Sequence, residues 1–258
     1  MNQYEINKKI EELVKNKSEF TADELIFISR YTGMGGIAEL ASEGLGAKYE
    51  FFTPDEIVKK MWALAYKYGY GVINEFNDNS VFEPSVGTGN FLKYAPKNVY
   101  IEANEISDVS AKICQVLYPN AVIKKQSFEQ NFIDAKNNIT IKSKIKDLKK
   151  FSLVIGNPPY GKMGGKYLGM GERDYSHAPN WIQYFIFRGL DLLQTNGLLI
   201  YIVGAEQFAG GTLFLDGENT KTKELIFEKS ELIDAYRLPT KLFETTGVST
   251  EILVFRKK

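Results

Sequence analysis

Asn157, Pro158, Pro159 and Tyr160 follow one another directly after an apolar run, Phe151 to Gly156. Asn157 offers a carboxamide oxygen as an acceptor. Pro158 lacks an N–H but keeps its carbonyl, and two successive prolines stiffen the turn so that both acceptors point one way. Tyr160 adds a flat ring beside them. Two fixed acceptors and a stacking face suit a planar group that carries an NH₂. The run before them reads as a buried parallel strand, and open α/β sheets bind ligands just beyond the carboxyl ends of such strands. On four residues alone, a proline-rich turn after a core strand explains the pattern equally well.

Other stretches gather around this one. In Glu83-Pro84-Ser85-Val86-Gly87-Thr88-Gly89-Asn90 the two glycines let the backbone approach a ligand and turn sharply. The run neither continues as a dinucleotide fingerprint nor ends in Gly-Lys-Ser/Thr, so nicotinamide and nucleoside triphosphates lose ground. Val99 to Glu105 reads as a strand, and Glu105 at its end stands at the distance from the glycines where an acid takes up ribose hydroxyls. Glu102 is its rival. Phe51-Phe52-Thr53-Pro54 opens a helix to about Gly69, with Thr53 as N-cap, Pro54 at the first helical position, and Asp55 and Glu56 in the first turn. Such an N-terminus favours a carboxylate ligand. Ala121 to Lys125 reads as a further strand, followed by Gln126-Ser127-Phe128-Glu129, where Phe128 is placed to flank a ring.

These groups must be held by an α/β framework. Apolar spacing predicts helices over residues 2–17, 18–31 and 181–193, and strands over 198–203, 232–238 and 249–255. Glycines from Gly33 to Gly46 place a boundary near residue 48, dividing a helical extension, 1–48, from a catalytic domain, 49–258. The extension is too small for a core of its own and should pack on the larger domain or on a partner. Lys142, Lys144, Lys146, Lys149 and Lys150 read best as a solvated helix face. The glycine-rich stretch 161–171, with Lys162, Lys166, Arg173, Tyr167 and Tyr175 in and after it, reads as a substrate lid or a plain mobile loop.

With 258 residues, 44% of them hydrophobic, the chain can bury a real core. Lysines and arginines equal aspartates and glutamates at 32 each, so a nucleic-acid binder of this composition must concentrate its positive charge locally or borrow it. Cys114 is the single cysteine and His177 the single histidine, which leaves no disulfide and no metal site to expect. No apolar run is long enough to span a bilayer, and the expectation is a cytoplasmic protein without membrane contact.

Asn157-Pro158-Pro159-Tyr160 resembles motif IV of the amino-group methyltransferases that use S-adenosylmethionine. Glu83 to Gly89 resembles their motif I, Phe51 to Pro54 their motif X, and Glu105-Ile106 their motif II, with Ser107 in place of an Asp. Phe128 falls in motif III. The order over about residues 50–258 is similar to that of gamma-type N6-adenine DNA methyltransferases. Tyr31-Thr32-Gly33-Met34-Gly35-Gly36, Arg237-Leu238-Pro239 and Thr250-Glu251-Ile252 resemble segments of the methylase domain in large methylase–helicase proteins of phages and conjugative elements.

The resemblance implies a Rossmann-like α/β methyltransferase fold, a seven-stranded, mostly parallel sheet with an antiparallel last strand. It implies S-adenosylmethionine as methyl donor, held by Thr53, Pro54, Glu83, Pro84, Gly87, Gly89, Asn90, Glu105, Ile106, Phe128 and Asn157. By the same likeness Asn157, Pro158 and Tyr160 are catalytic, the Tyr160 ring and Phe243 flank a flipped adenine, and no metal takes part. The implied partner is DNA. Many gamma enzymes carry a target-recognition domain after this point, so with Lys258 as the last residue the expectation is low sequence specificity or a separate specificity subunit. The same tetrapeptide also occurs in enzymes that methylate RNA or a protein glutamine amide, and a non-catalytic subunit of a methyltransferase complex keeps the same fold.

Overall fold

One sheet is formed by β1 (Val81–Glu83), β2 (Ile101–Glu105), β3 (Val122–Lys125), then β6 (Phe151–Gly156), β7 (Leu193–Gly204), β8 (Ser230–Arg237) and β9 (Thr250–Lys257), with β4 (Ile133–Asp134) and β5 (Ile139–Thr140) paired apart from it. The computed structural model describes residues 1–33, 52–72, 79–134, 139–140, 148–160, 178, 180–204, 214, 221–239 and 249–258. The sheet order is β3-β2-β1-β6-β7-β9-β8. Pairing is parallel from β3 through β7, and β9 runs antiparallel to both β7 and β8. The seven-stranded sheet with an antiparallel last strand is thus as expected.

The central strands are buried on both faces, which is why they read as continuous apolar runs. Along β7, Leu199, Tyr201 and Val203 join one core cluster while Leu198, Ile200 and Ile202 join the other. Helix α5 (Trp181–Leu192) supplies Ile182, Phe185 and Ile186 to the first cluster. Helix α3 (Asp55–Lys67) supplies Val58, Met61 and Trp62 to the second. The remaining helices are α1 (Gln3–Asn16), α2 (Ala22–Ile28), α4 (Asp108–Leu117) and α6 (Lys221–Lys229). Ile6, Ile10, Val14, Ile28 and Tyr31 pack with Ile113, so α1 and α2 lie on α4. The boundary expected near residue 48 lies outside the described residues.

Two expected helix starts move. The second helix begins after Thr21, not at Ser18, because the Thr21 side chain and Glu24 form a reciprocal capping box that marks the terminus itself. Helix α3 begins at Asp55, with Pro54 rather than Thr53 at the cap position and no side-chain cap. Proline carries no side-chain acceptor, and Thr53 stands one residue before the position from which a side chain caps. Strand β7 is longer than the expected 198–203, because Leu193 already pairs with Phe151 before the register jumps to Leu153 and Leu198.

Candidate active site

The chain passes outward from β1 to β2 and β3 on one side, and from β6 to β7 on the other. The strand order therefore reverses between β1 and β6. In open α/β sheets the crevice beyond the strand ends at this switch point is the ligand site. Glu83 closes β1 and Gly156 closes β6, so the glycine loop and the Asn157–Tyr160 turn leave the sheet side by side. The Ser85 hydroxyl donates to the Asn157 carbonyl at 3.4 Å, joining the two segments.

In the loop, Gly87 has φ +56° and Gly89 φ +94°, left-handed values that favour glycine. Space reinforces the requirement. A Cβ on Gly87 would stand 2.8 Å from the Phe52 ring, and one on Gly89 2.4 Å from the Tyr118 ring. The Gly87 N–H donates to Glu105 Oε2 at 2.8 Å, and the Ser107 N–H donates to Glu105 Oε1 at 2.7 Å. Glu102, the rival acid, is held elsewhere by Lys124 and by the Tyr100 hydroxyl at 2.9 Å. The geometry brings Glu105, not Glu102, to the loop.

Helix α3 is fixed to the same region. Asn90 Nδ2 donates to the Thr53 carbonyl at 3.1 Å, and Trp62 Nε1 to the Phe91 carbonyl at 2.9 Å. Asp55, in the first turn, accepts from Lys93 Nζ and from the Tyr94 hydroxyl, both at 2.5 Å. The Lys93 bond, then the Tyr94 bond, outweigh burial and hold its carboxyl below the usual range. Glu83 has the opposite environment. It is 1% exposed, its Oε2 has no hydrogen-bond partner, and burial followed by the charge of Glu105 pushes its carboxyl well above the usual value.

At the end of β6, Pro158 is buried, while Asn157, Pro159 and Tyr160 are half-buried. The Tyr160 ring packs at the margin of both core clusters. Its hydroxyl donates to Asn157 Oδ1 at 2.9 Å.

The sequence model of the N-6 DNA methylase family matches residues 35–258. The chain belongs to this family. Among curated proteins, it is 29% identical over 259 residues to the defense against restriction protein B of Escherichia phage P1, covering 98% of this chain but 10% of that protein. It is 24% identical over 251 residues to the EcoKI type I restriction enzyme methylase subunit of Escherichia coli K12, covering 90% of this chain and 44% of the subunit. The chain thus spans under half the length of these relatives. Among solved structures, a Listeria monocytogenes protein assigned to the class I S-adenosylmethionine-dependent methyltransferases superposes with a TM-score of 0.61 at 16% identity, covering 98% of this chain and 79% of that one.

Most residues singled out from sequence stand around the switch point: Thr53 and Pro54 at the start of α3, Glu83 at the end of β1, Pro84, Gly87, Gly89 and Asn90 in the loop, Glu105 at the end of β2 with Ile106 after it, and Asn157 to Tyr160 after β6. Ile106 is 66% exposed, an apolar side chain left facing outward beside Glu105. Phe128 requires correction. It is 2% exposed, with ring centroids of Phe185 at 4.6 Å, Phe132 at 5.1 Å and Phe82 at 5.8 Å, so its ring is committed to the core. Phe243 and the stretch 161–177 lie outside the described residues. Sequence reasoning missed Phe52, Ser85 and Tyr118, which touch the loop or the turn. The first two lie inside the motifs themselves, but nothing in sequence ties Tyr118 to Gly89.

Proposed function

We propose that this chain transfers the methyl group of S-adenosylmethionine to the N6 amino group of adenine in DNA. The single observation that carries the reading is the pairing, at the switch point, of the glycine loop and Glu105 with the Asn157-Pro158 acceptors. In this reading the N-terminal helices, residues 1–48, are an extension on a catalytic unit, 49–258, working in the cytoplasm. Among the described residues no helix is long and apolar enough to cross a membrane.

The residues present fit the methyl donor. Glu105 is held by two backbone N–H donors beside the glycine loop, and a carboxylate acceptor there suits a ribose diol. Exposed Ile106 offers an apolar face to the purine. Gly87 and Gly89 give the loop a left-handed turn where side chains do not fit, and Glu83, Pro84, Asn90 and the Thr53–Pro54 entry to α3 complete the cradle for the amino-acid end. When bound, the sulfonium supplies a methyl group that is already activated, so the chemistry needs no metal and no covalent enzyme intermediate. Among the described residues no cluster of potential metal ligands occurs.

The remaining barrier is the poor nucleophilicity of N6, whose lone pair is delocalised into the ring. Asn157 Oδ1 and the Pro158 carbonyl accept its two hydrogens. That favours a pyramidal nitrogen and stabilises the positive charge that grows on it during attack. Either acceptor contributes on the order of 2–4 kcal/mol through preorganised electrostatics. The Tyr160 ring stacks on a base turned out of the duplex, and Phe243 is its proposed second wall. Extrusion costs roughly a few kcal/mol, offset by that stacking. With positive and negative charges equal at 32, and with a relative named as a methylase subunit, we assign target recognition to a separate specificity subunit.

The test is incubation with labelled S-adenosylmethionine and separate pools of duplex DNA, single-stranded DNA, RNA and protein, alone and with a cognate specificity subunit. N6-methyladenine in DNA supports the reading. Label confined to RNA or to protein glutamine overturns it.

A further inference from the structure

The two residues at the ends of the Asn157–Tyr160 turn are bonded to each other, which the stacking role of Tyr160 does not require. The Tyr160 hydroxyl donates to Asn157 Oδ1 at 2.9 Å across three residues, a span that the two rigid prolines between them hold fixed. From the other side, the Ser85 hydroxyl reaches the Asn157 carbonyl at 3.4 Å. Burial raises the Tyr160 hydroxyl above the ordinary tyrosine range, so it remains a protonated donor through the physiological interval.

A carboxamide has two ends of nearly equal size and opposite function. Only the oxygen accepts; the NH₂ end, turned toward an amine, places donor against donor. An asparagine that must present oxygen therefore needs something to decide its orientation. A hydroxyl donor placed at the oxygen does so, because a carbonyl oxygen has two lone pairs and one suffices for Tyr160.

We propose that the Tyr160 hydroxyl is a positioning group that fixes the rotation of the Asn157 carboxamide, leaving the second lone pair of Oδ1 for the substrate amine. Tyr160 then acts twice, through its ring on the base and through its oxygen on Asn157. The inference rests on the proposed roles of Asn157 and Tyr160 in methyl transfer to an amine.

The experiment is steady-state and single-turnover methylation by wild type, Tyr160→Phe, Tyr160→Ala and Asn157→Asp, and by the double substitution Asn157→Asp/Tyr160→Phe. Tyr160→Phe keeps the ring, so KM for DNA should hold while kcat falls roughly two- to tenfold, the worth of one net hydrogen bond. Tyr160→Ala should raise KM as well. Aspartate presents oxygen in either rotation, so in the Asn157→Asp background the Tyr160→Phe effect on kcat should disappear, a coupling that loss of packing does not produce. If Asn157→Asp is inactive, the KM-against-kcat split of Tyr160→Phe decides alone. An unchanged or raised kcat for Tyr160→Phe overturns the proposal, as does an equal loss in both backgrounds. Wild type inactive on every amine substrate would instead overturn the underlying reading, so the two failures are distinguishable.

Discussion

Glu83→Gln is the perturbation that tests the electrostatics of the loop most directly. Glu83 closes β1 at 1% exposure with Oε2 unpartnered, and burial, then the Glu105 charge, raises its carboxyl well above the usual 4.5. The folded protein therefore holds this proton more tightly than the unfolded chain does. The stability it contributes is full below pH 4.5 and is lost as pH rises toward the folded value, at about 1.4 kcal/mol per pH unit. For a chain of this size that slope corresponds to roughly 3–5 °C in Tm per unit. Glutamine does not titrate. Its amide buries two N–H donors where the protonated acid buries one O–H, a cost on the order of 1–3 kcal/mol that does not depend on pH. The diagnostic is therefore the slope rather than the level. Tm measured for both proteins in half-unit steps should show the variant gaining on wild type as pH rises above 4.5. Saturating S-adenosylmethionine, which is cationic, should shrink that gain, since nearby positive charge favours the ionised acid. A constant difference from about pH 4 to pH 8 would refute the reasoning, because a group that titrates alike in both states gives no slope.

Other substitutions separate the roles at the site. Glu105→Ala removes charge-assisted hydrogen bonds worth roughly 1.5–3 kcal/mol each, so calorimetry should show S-adenosylmethionine binding weakened at least tenfold; unchanged affinity would move the ribose role away from Glu105. Asn157→Ala should leave that affinity within a few-fold of wild type while lowering kcat by about a hundred- to a thousandfold, and parallel losses in both would show that the carboxamide serves binding instead. Gly89→Ala puts a Cβ 2.4 Å from the Tyr118 ring at φ +94°, and should destabilise the fold by about 1–3 kcal/mol in denaturant melts. Adding Tyr118→Ala to it should relieve the clash but not the backbone strain, so full recovery would show that sterics alone require glycine there. Sequencing that maps N6-methyladenine should find few or scattered sites after treatment with this chain alone and one defined motif once a specificity subunit is added; a long motif methylated efficiently without it would refute the division of labour.

What can be read from sequence, and what cannot, divides along a physical line. Backbone-determined features are legible because they depend on local residue type. Gly87 and Gly89 announce left-handed backbone, Phe151 to Gly156 announces a strand buried on both faces, and the double proline announces where it stops. The seven-stranded sheet follows from such strands together with the family resemblance. Phe128 misleads because an aromatic in a loop after a strand looks available until Phe82, Phe132 and Phe185 close around it, and two of those neighbours come from distant parts of the chain. The choice between Glu102 and Glu105 depends on the same kind of information. Two acids three residues apart on one strand point to opposite faces of the sheet, and Lys124 and Tyr100 claim the first while the Gly87 and Ser107 amides claim the second.

The Tyr160–Asn157 bond belongs to a third kind. Both residues are visible in sequence, in the same motif and with chemistry to do, yet assigning each a role toward the substrate hides their contact with each other. In a rigid turn, groups chosen to face one ligand necessarily stand close together, and an acceptor and a donor held at 2.9 Å will use one another. Carboxamides and hydroxyls in such turns are therefore to be read first for the bonds they make among themselves, since those bonds determine which lone pairs remain for the substrate.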